Sequence, residues 1–218
     1  MTNIKVALER ERLDEMYRFE RKLITGEAVF AAGIDEAGRG PLAGPVCAAA
    51  VILEPGTFIP YLNDSKKVSE KRRPAVAEDI LEKAVAVGIG LADAEMIDRE
   101  GIIPATRHAM KTAVRNLSVT PSLLLIDGLP MKGLAEEIGI KSEFIVKGDA
   151  LSASIAAASI IAKVTRDRIM EEYAAKFPAY GFERHKGYGT AAHIAAIKEF
   201  GILDIHRRTF LKDDWIKI

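Results

Sequence analysis

Two acids stand side by side in the stretch Gly33-Ile34-Asp35-Glu36-Ala37-Gly38-Arg39-Gly40-Pro41-Leu42-Ala43-Gly44. They follow an apolar run, residues 28–34, that reads as a buried strand. Neighbouring side chains on a regular strand point to opposite faces. The pair can therefore share a task only where the strand is ending, with Asp35 inward and the longer Glu36 curled back beside it. The glycines that follow let a ligand backbone approach the peptide N–H groups. Arg39 adds a planar fork of donors suited to phosphate. The pattern suggests a divalent-metal site next to a phosphate-bearing polymer. Taken alone, an Asp-Glu pair reads first as a strand ending in a polar turn.

Two further acids occupy similar places. Asp127 closes Ser122-Leu123-Leu124-Leu125-Ile126-Asp127-Gly128, an unbroken apolar run that suits a central strand covered on both faces. Asp149 follows an expected strand at 142–146, in Lys147-Gly148-Asp149. A sheet gathers strand ends along one edge, so four carboxylates from three regions can converge. Unpaired, they would repel and raise one another's pKa. Hard divalent cations relieve that repulsion, and an all-oxygen set selects Mg²⁺ or Mn²⁺ over zinc. No Cys/His set has zinc spacing. Two such ions roughly 3.5–4 Å apart activate a water and stabilise the leaving oxygen of a phosphodiester. The residues alone leave this reading level with three unrelated polar strand ends.

Basic and aromatic residues stand where a polynucleotide would need them. Lys66, Lys67, Lys71, Arg72 and Arg73 form one cluster, and Arg207 and Arg208 another. Each by itself reads first as solvated surface. Tyr188, between two glycines, is a candidate stacking platform for a sugar or base, against the plainer reading of a packed rim residue. His185 reads as a backbone hydrogen-bonding residue before a proton shuttle.

The elements that must hold these groups alternate along the chain. A charged helix is expected at 5–24, with Leu13, Met16, Tyr17, Leu23 and Ile24 near helical spacing. Strands at 28–35 and 44–53 are joined closely enough to be antiparallel. Ser69 is placed to cap a helix to about residue 86. A strand at 87–92, helical sequence from Asp93 to Asn116 broken near Gly101 and Pro104, and a short helix at 134–138 follow. Residues 150–176 read as the longest helix, apolar nearly all round in its first half and therefore buried. Thr190 caps a last helix ended by Gly201. No repeat or linker is visible, so 218 residues read as one domain, 28–218, behind a helical segment at 1–27.

The 31 basic and 31 acidic residues cancel, which localises any nucleic-acid surface rather than spreading it over the protein. The single cysteine, Cys47, lies in an apolar run and reads as a small buried side chain. A lone cysteine fits a reducing cytosol, and the charged start is no signal peptide. No run approaches the roughly 20 apolar residues of a membrane span. A cytoplasmic, monomeric protein is the expectation. A phosphate-binding Gly-x-x-x-x-Gly-Lys-Ser/Thr loop is absent, and Gly38, Gly40 and Gly44 miss the dinucleotide fingerprint.

Several stretches together resemble bacterial ribonuclease HII, the type 2 ribonucleases H. They are residues 33–41, Asn63-Asp64-Ser65-Lys66-Lys67, Leu125-Ile126-Asp127-Gly128, Val146-Lys147-Gly148-Asp149, residues 157–167, Tyr180-Gly181-Phe182, His185-Lys186-Gly187-Tyr188 and His206-Arg207-Arg208-Thr209-Phe210. The resemblance implies an α/β ribonuclease H-like fold, a mixed sheet of about five strands flanked by helices. It implies cutting of RNA in RNA–DNA hybrids and at single ribonucleotides in DNA, leaving 5′-phosphate and 3′-hydroxyl ends. Asp35, Glu36, Asp127 and Asp149 become the metal-binding catalytic acids, for one Mn²⁺ or Mg²⁺ without substrate and two with it. Gly38-Arg39-Gly40 and Tyr188 become the sensors of the ribose 2′-hydroxyl and the following deoxyribose. Asp167 is outside the set and reads as a surface ion pair. Lys66, Lys67, Arg72, Arg207 and Arg208 are expected at the substrate. Type 3 relatives carry a larger N-terminal domain and typically Glu as the fourth acid, so Asp149 and the short segment 1–27 favour type 2.

Overall fold

The computed structural model describes residues 3–23 and 30–215. The N-terminal helix is two: α1 (Asn3–Met16) and α2 (Arg18–Leu23), parted at Tyr17. Leu13, Met16 and Tyr17 are buried in the same apolar cluster as the sheet, and the Tyr17 hydroxyl donates to the Thr57 carbonyl at 3.0 Å. These helices are thus packed into the core rather than solvated all round. Ile24 and the first residues of the expected strand, 28 and 29, lie outside the described residues.

Five strands form one mixed sheet. They are β1 (Ala31–Ala37), β2 (Val46–Ile52), β3 (Ala86–Ala92), β4 (Leu123–Asp127) and β5 (Lys141–Ile145), in the order β3-β2-β1-β4-β5. β1 and β2 pair antiparallel across a short connection, and β3, reached after α3, pairs antiparallel to β2; β4 lies parallel to β1 and β5 parallel to β4. β2 is buried along its whole length, and its small residues let helices press on both faces.

Helices α3 (Arg73–Lys83), α4 (Ala94–Glu100), α5 (Ile102–Arg115), α6 (Leu134–Ile138), α7 (Gly148–Leu151), α8 (Ala153–Lys176), α9 (Phe182–His185) and α10 (Ala191–Phe200) complete the chain. Ala32, Ile34, Ala48 and Ala50 face α5, while Cys47, Ala49 and Val51 face α8. Gly33 has no side chain because α8 passes over it: a Cβ there would run into the Ser154 carbonyl. Burial pushes the Cys47 thiol up to about 12, which suits an inert core residue. Among the described residues no helix is long and apolar enough to cross a membrane.

Two helix boundaries differ from expectation. α3 starts at Arg73, with Arg72 rather than Ser69 at its N-cap position, because Pro74 is suited to a first helical turn and residues 69–72 form a separate turn. The long helix is broken at Ser152, whose extended backbone (φ −116°, ψ 130°) ends α7 while its hydroxyl caps α8 through the Ile155 N–H. Asp149 therefore sits on its own short helix.

Candidate active site

β1 runs parallel to β4 with Ala31 opposite Leu123 and Ile34 opposite Ile126. The next step in that register puts Asp35 beside Asp127. Both side chains point to the α8 face, since they alternate in phase with Ala31 and Leu125. β1 itself continues to Ala37 along β2, so Asp35 and Glu36 lie inside the strand rather than at its end. Asp149 arrives from α7, just after β5, where Ile145 lies opposite Asp127. Its backbone N–H donates to Asp127 Oδ1 at 3.3 Å, and Gly148 is needed because a Cβ there would also crowd Ile155. One oxygen each from Asp35, Asp127 and Asp149 lie within 4.8 Å of one another.

Electrostatics makes this arrangement costly without a cation. Asp35 is pushed well above the usual carboxylate range, by burial first and then by Glu36 and Asp127. The Ser159 hydroxyl and the Glu36 N–H, which donates to Asp35 Oδ1 at 2.7 Å, oppose that rise without cancelling it. Asp149 is raised by burial, then by Asp127 and Asp64, with Lys66 pulling the other way; Lys66 Nζ is 3.8 Å from its Oδ2. The donor set fits a hard divalent cation: oxygen only, several like charges, two of the carboxylates nearly buried. Among the described residues no Cys or His joins the set: Cys47 is buried in the core, and His185, His193 and His206 bond backbone or one another.

Glu36 pairs with Arg39 at 3.3 Å, outside the cluster of three carboxylate oxygens, while its charge still bears on Asp35. Burial raises its pKa while Arg39 lowers it. The structure thus gathers three of the four expected acids and leaves the fourth at the rim. Asp167 pairs with Lys163 at 2.6 Å and Arg73 at 3.7 Å, the ion-pair role expected of it.

The Gly38–Gly40 turn lies next to this site, and Tyr188 lies next to the turn. A Cβ on Gly40 would stand 3.9 Å from the Tyr188 ring, which is 46 % exposed. The Tyr188 carbonyl is held by His193 Nδ1 at 3.0 Å. His193 Nε2 meets His206 Nε2 at 3.1 Å, and His206 Nδ1 accepts the Leu203 N–H at 2.8 Å. Since His206 Nδ1 must accept and His193 Nδ1 must donate, both tautomers are fixed by their neighbours. His185 bonds the Tyr180 carbonyl through Nε2, as expected of a structural histidine.

Lys66, Lys67 and Arg72 are exposed on the cluster that begins at Asp64, whose Oδ1 accepts the Lys66 N–H at 2.9 Å. Arg72 lies over the Tyr61 ring at 4.1 Å. Arg207 corrects the expectation of a substrate-facing cation. It is fully buried and donates to the carbonyls of Gly38, Arg39 and Gly44 at 2.6–3.0 Å. Burial, with Arg166 close by, lowers its pKa to about 9. Arg208 is exposed, and its backbone N–H bonds Asp98 on α4. Sequence reasoning missed Arg166, which is equally buried and donates to the carbonyls of Ala43, Pro45 and Lys186. Its place in a charged helix half gave no sign of this. Two guanidiniums thus fix the turn from beneath, tying it to α8 and the C-terminal segment.

A mixed sheet with this strand order, carrying carboxylates from β1 and β4 and from the short helix after β5, defines the ribonuclease H class of nuclease fold. Solved members overlay on it: ribonuclease H2 from Pyrococcus horikoshii matches 83% of this chain and 93% of its own at 26% identity, with a TM-score of 0.71. The ribonuclease HII in a PCNA complex from Archaeoglobus fulgidus matches 84% and 96% at 27% identity, with a TM-score of 0.70. The chain belongs to the ribonuclease HII family, whose family model matches residues 32–218. A curated ribonuclease HII from Acetivibrio thermocellus is 53% identical over 210 residues, 96% of this chain and 80% of that protein. The protein is accordingly a hydrolase, a ribonuclease.

Proposed function

We propose that this enzyme hydrolyses the RNA strand of RNA–DNA hybrids and incises duplex DNA on the 5′ side of a single embedded ribonucleotide, leaving 5′-phosphate and 3′-hydroxyl ends. The observation that carries the reading is the convergence of the Asp35, Asp127 and Asp149 oxygens within 4.8 Å, beside a glycine turn backed by an exposed tyrosine. Membership of the ribonuclease HII family supports the substrate class.

Asp35, Asp127 and Asp149 are the residues to hold Mg²⁺ or Mn²⁺, with Glu36 reaching them by leaving Arg39. Divalent ions held there would supply positive charge to lower the pKa of an attacking water and to stabilise a departing 3′-oxygen. The remaining groups bind and orient. The Gly38–Gly40 turn brings peptide groups against the ribose, where the 2′-hydroxyl distinguishes RNA from DNA. Tyr188 offers its ring to the next sugar. Arg39, Lys66, Lys67, Arg72 and Arg208 are the exposed cations to meet phosphates. Arg207 serves the substrate only through the turn it holds. Residues 28–218 are the catalytic unit in this reading.

The test is digestion of three duplexes: an RNA–DNA hybrid, DNA with one ribonucleotide, and DNA alone, each with Mg²⁺, Mn²⁺ or EDTA. Cleavage of the first two, with the stated ends and none in EDTA, is expected. Binding without cleavage would instead make the protein a hybrid-binding module.

A further inference from the structure

Glu20 on α2 is fully buried, an uncommon state for a carboxylate. Its Oε1 accepts from the Ser152 hydroxyl at 2.7 Å and from the Ser154 N–H at 2.9 Å. Both partners lie more than 130 residues along the chain, at the first turn of α8. Among the described residues the other oxygen, Oε2, is buried without a partner, as is the Ser154 hydroxyl. Ser152 already caps α8 through the Ile155 N–H, so the helix start has a local cap without Glu20. An added negative charge at a helix N-terminus is favourable. Burying it with one oxygen unsatisfied is costly. A cap alone does not call for that cost.

Ser152 is also the hinge between α7 and α8. Its N–H closes α7 on the Gly148 carbonyl at 2.8 Å, with Asp149 in that same turn. α1 touches α7 as well. On the other side, Gly33 of β1 lies against Ser154. The α7–α8 junction is therefore gripped between the strand that carries Asp35 and the helix that carries Glu20.

We propose that Glu20 is a positioning residue for Asp149. By fixing Ser152 it sets the pitch of α7, and so the distance of the Asp149 carboxylate from Asp35 and Asp127. The N-terminal helices then belong to the active-site framework, although the family match begins only at residue 32. The proposal rests on the reading of Asp149 as a metal ligand.

The experiment measures Mn²⁺ binding to the substrate-free, full-length protein by calorimetry, with the thermal melt of each variant recorded alongside. Groups that support a metal ligand typically cost about 10–100-fold in affinity when removed, so Glu20→Ala is expected to weaken Mn²⁺ at least about tenfold. Glu20→Gln keeps an oxygen for Ser152 and Ser154 and restores binding to within about twofold of the parent, a rescue that loss of stability alone does not explain. Ser152→Ala removes the hydroxyl that Glu20 holds, and the α8 cap with it, while leaving Glu20 on the Ser154 N–H and the Ser152 N–H on Gly148; it weakens Mn²⁺ likewise and carries the test should Glu20→Ala not fold. Parent-like affinity in a folded Glu20→Ala or in Ser152→Ala overturns the proposal, as does a Glu20→Gln no better than Glu20→Ala. Asp149→Asn is the control: if it binds Mn²⁺ as the parent does, the metal-site reading itself has failed.

Discussion

Asp35 and Asp127 sit shoulder to shoulder on neighbouring parallel strands, one register step beyond the Ile34–Ile126 pair and on the same face of the sheet. Two carboxylates forced together by backbone register repel, and burial deepens the cost. Asp35→Asn keeps the shape and an oxygen for the Glu36 N–H but removes one charge. We expect it to abolish cleavage while raising the metal-free protein's stability by about 1–3 kcal/mol at pH 8. Urea denaturation in EDTA checks the second half. A less stable variant would mean that the acids do not repel in the free protein.

The same repulsion sets a pH dependence. Asp35 and Asp149 have folded-state pKa values above their unfolded ones. Between the two values the folded state holds more protons, so stability falls as pH rises through that window and is recovered as pH drops. A bound cation acts in the opposite sense, favouring the ionised acids. The rise in melting temperature on adding Mn²⁺ should therefore be larger at pH 8 than at pH 5. An equal rise at both would place the ion away from these carboxylates.

Adjacent arginines should behave in opposite ways. Arg207→Ala strips buried carbonyls of Gly38, Arg39 and Gly44 of their donor and should cost at least about 2 kcal/mol. It should also raise KM, because the turn that meets the ribose loses its support. Arg208→Ala, at an exposed position, should stay within about 0.5 kcal/mol of the parent. Chemical denaturation of both variants decides the matter. Similar losses would deny Arg207 its special place.

Tyr188→Ala should reduce cleavage at a single ribonucleotide far more than it reduces affinity for hybrid. Stacking on one aromatic ring is worth about 1–3 kcal/mol, a loss of roughly 5- to 150-fold at the junction. Steady-state rates on the single-ribonucleotide duplex, beside hybrid binding, measure this. Equal losses would remove Tyr188 from junction sensing.

Much of this was legible in the residues, and the failures have physical causes. Apolar runs ending in acids marked β1 and β4, because a strand buried on both faces needs little beyond continuous hydrophobicity. The meeting of Asp35, Asp127 and Asp149 was expected from acids at strand ends and from the family resemblance, and the structure brings the three together; the register that sets it was not readable, since it depends on which strand lies alongside. Asp35 and Glu36 were expected to share a task at a strand end; β1 instead runs on to Ala37, and of the two only Asp35 joins the three-carboxylate cluster. The break at Ser152 was hidden by a helix-forming sequence on both sides, and it decides where Asp149 stands. Arg207 and Arg208 look alike as letters; only the fold directs one guanidinium to carbonyls and the other to solvent. Glu20 gave no signal in a segment full of charges.

The central claim is that converging carboxylates hold the cation that drives hydrolysis. The most direct measurement is cleavage of a duplex with one ribonucleotide by the parent and by Asp127→Asn, in Mn²⁺ and in EDTA. We expect a single incision 5′ of the ribonucleotide for the parent in Mn²⁺ and none in the other three reactions. Incision in EDTA, or by Asp127→Asn at the parent's rate, would contradict it.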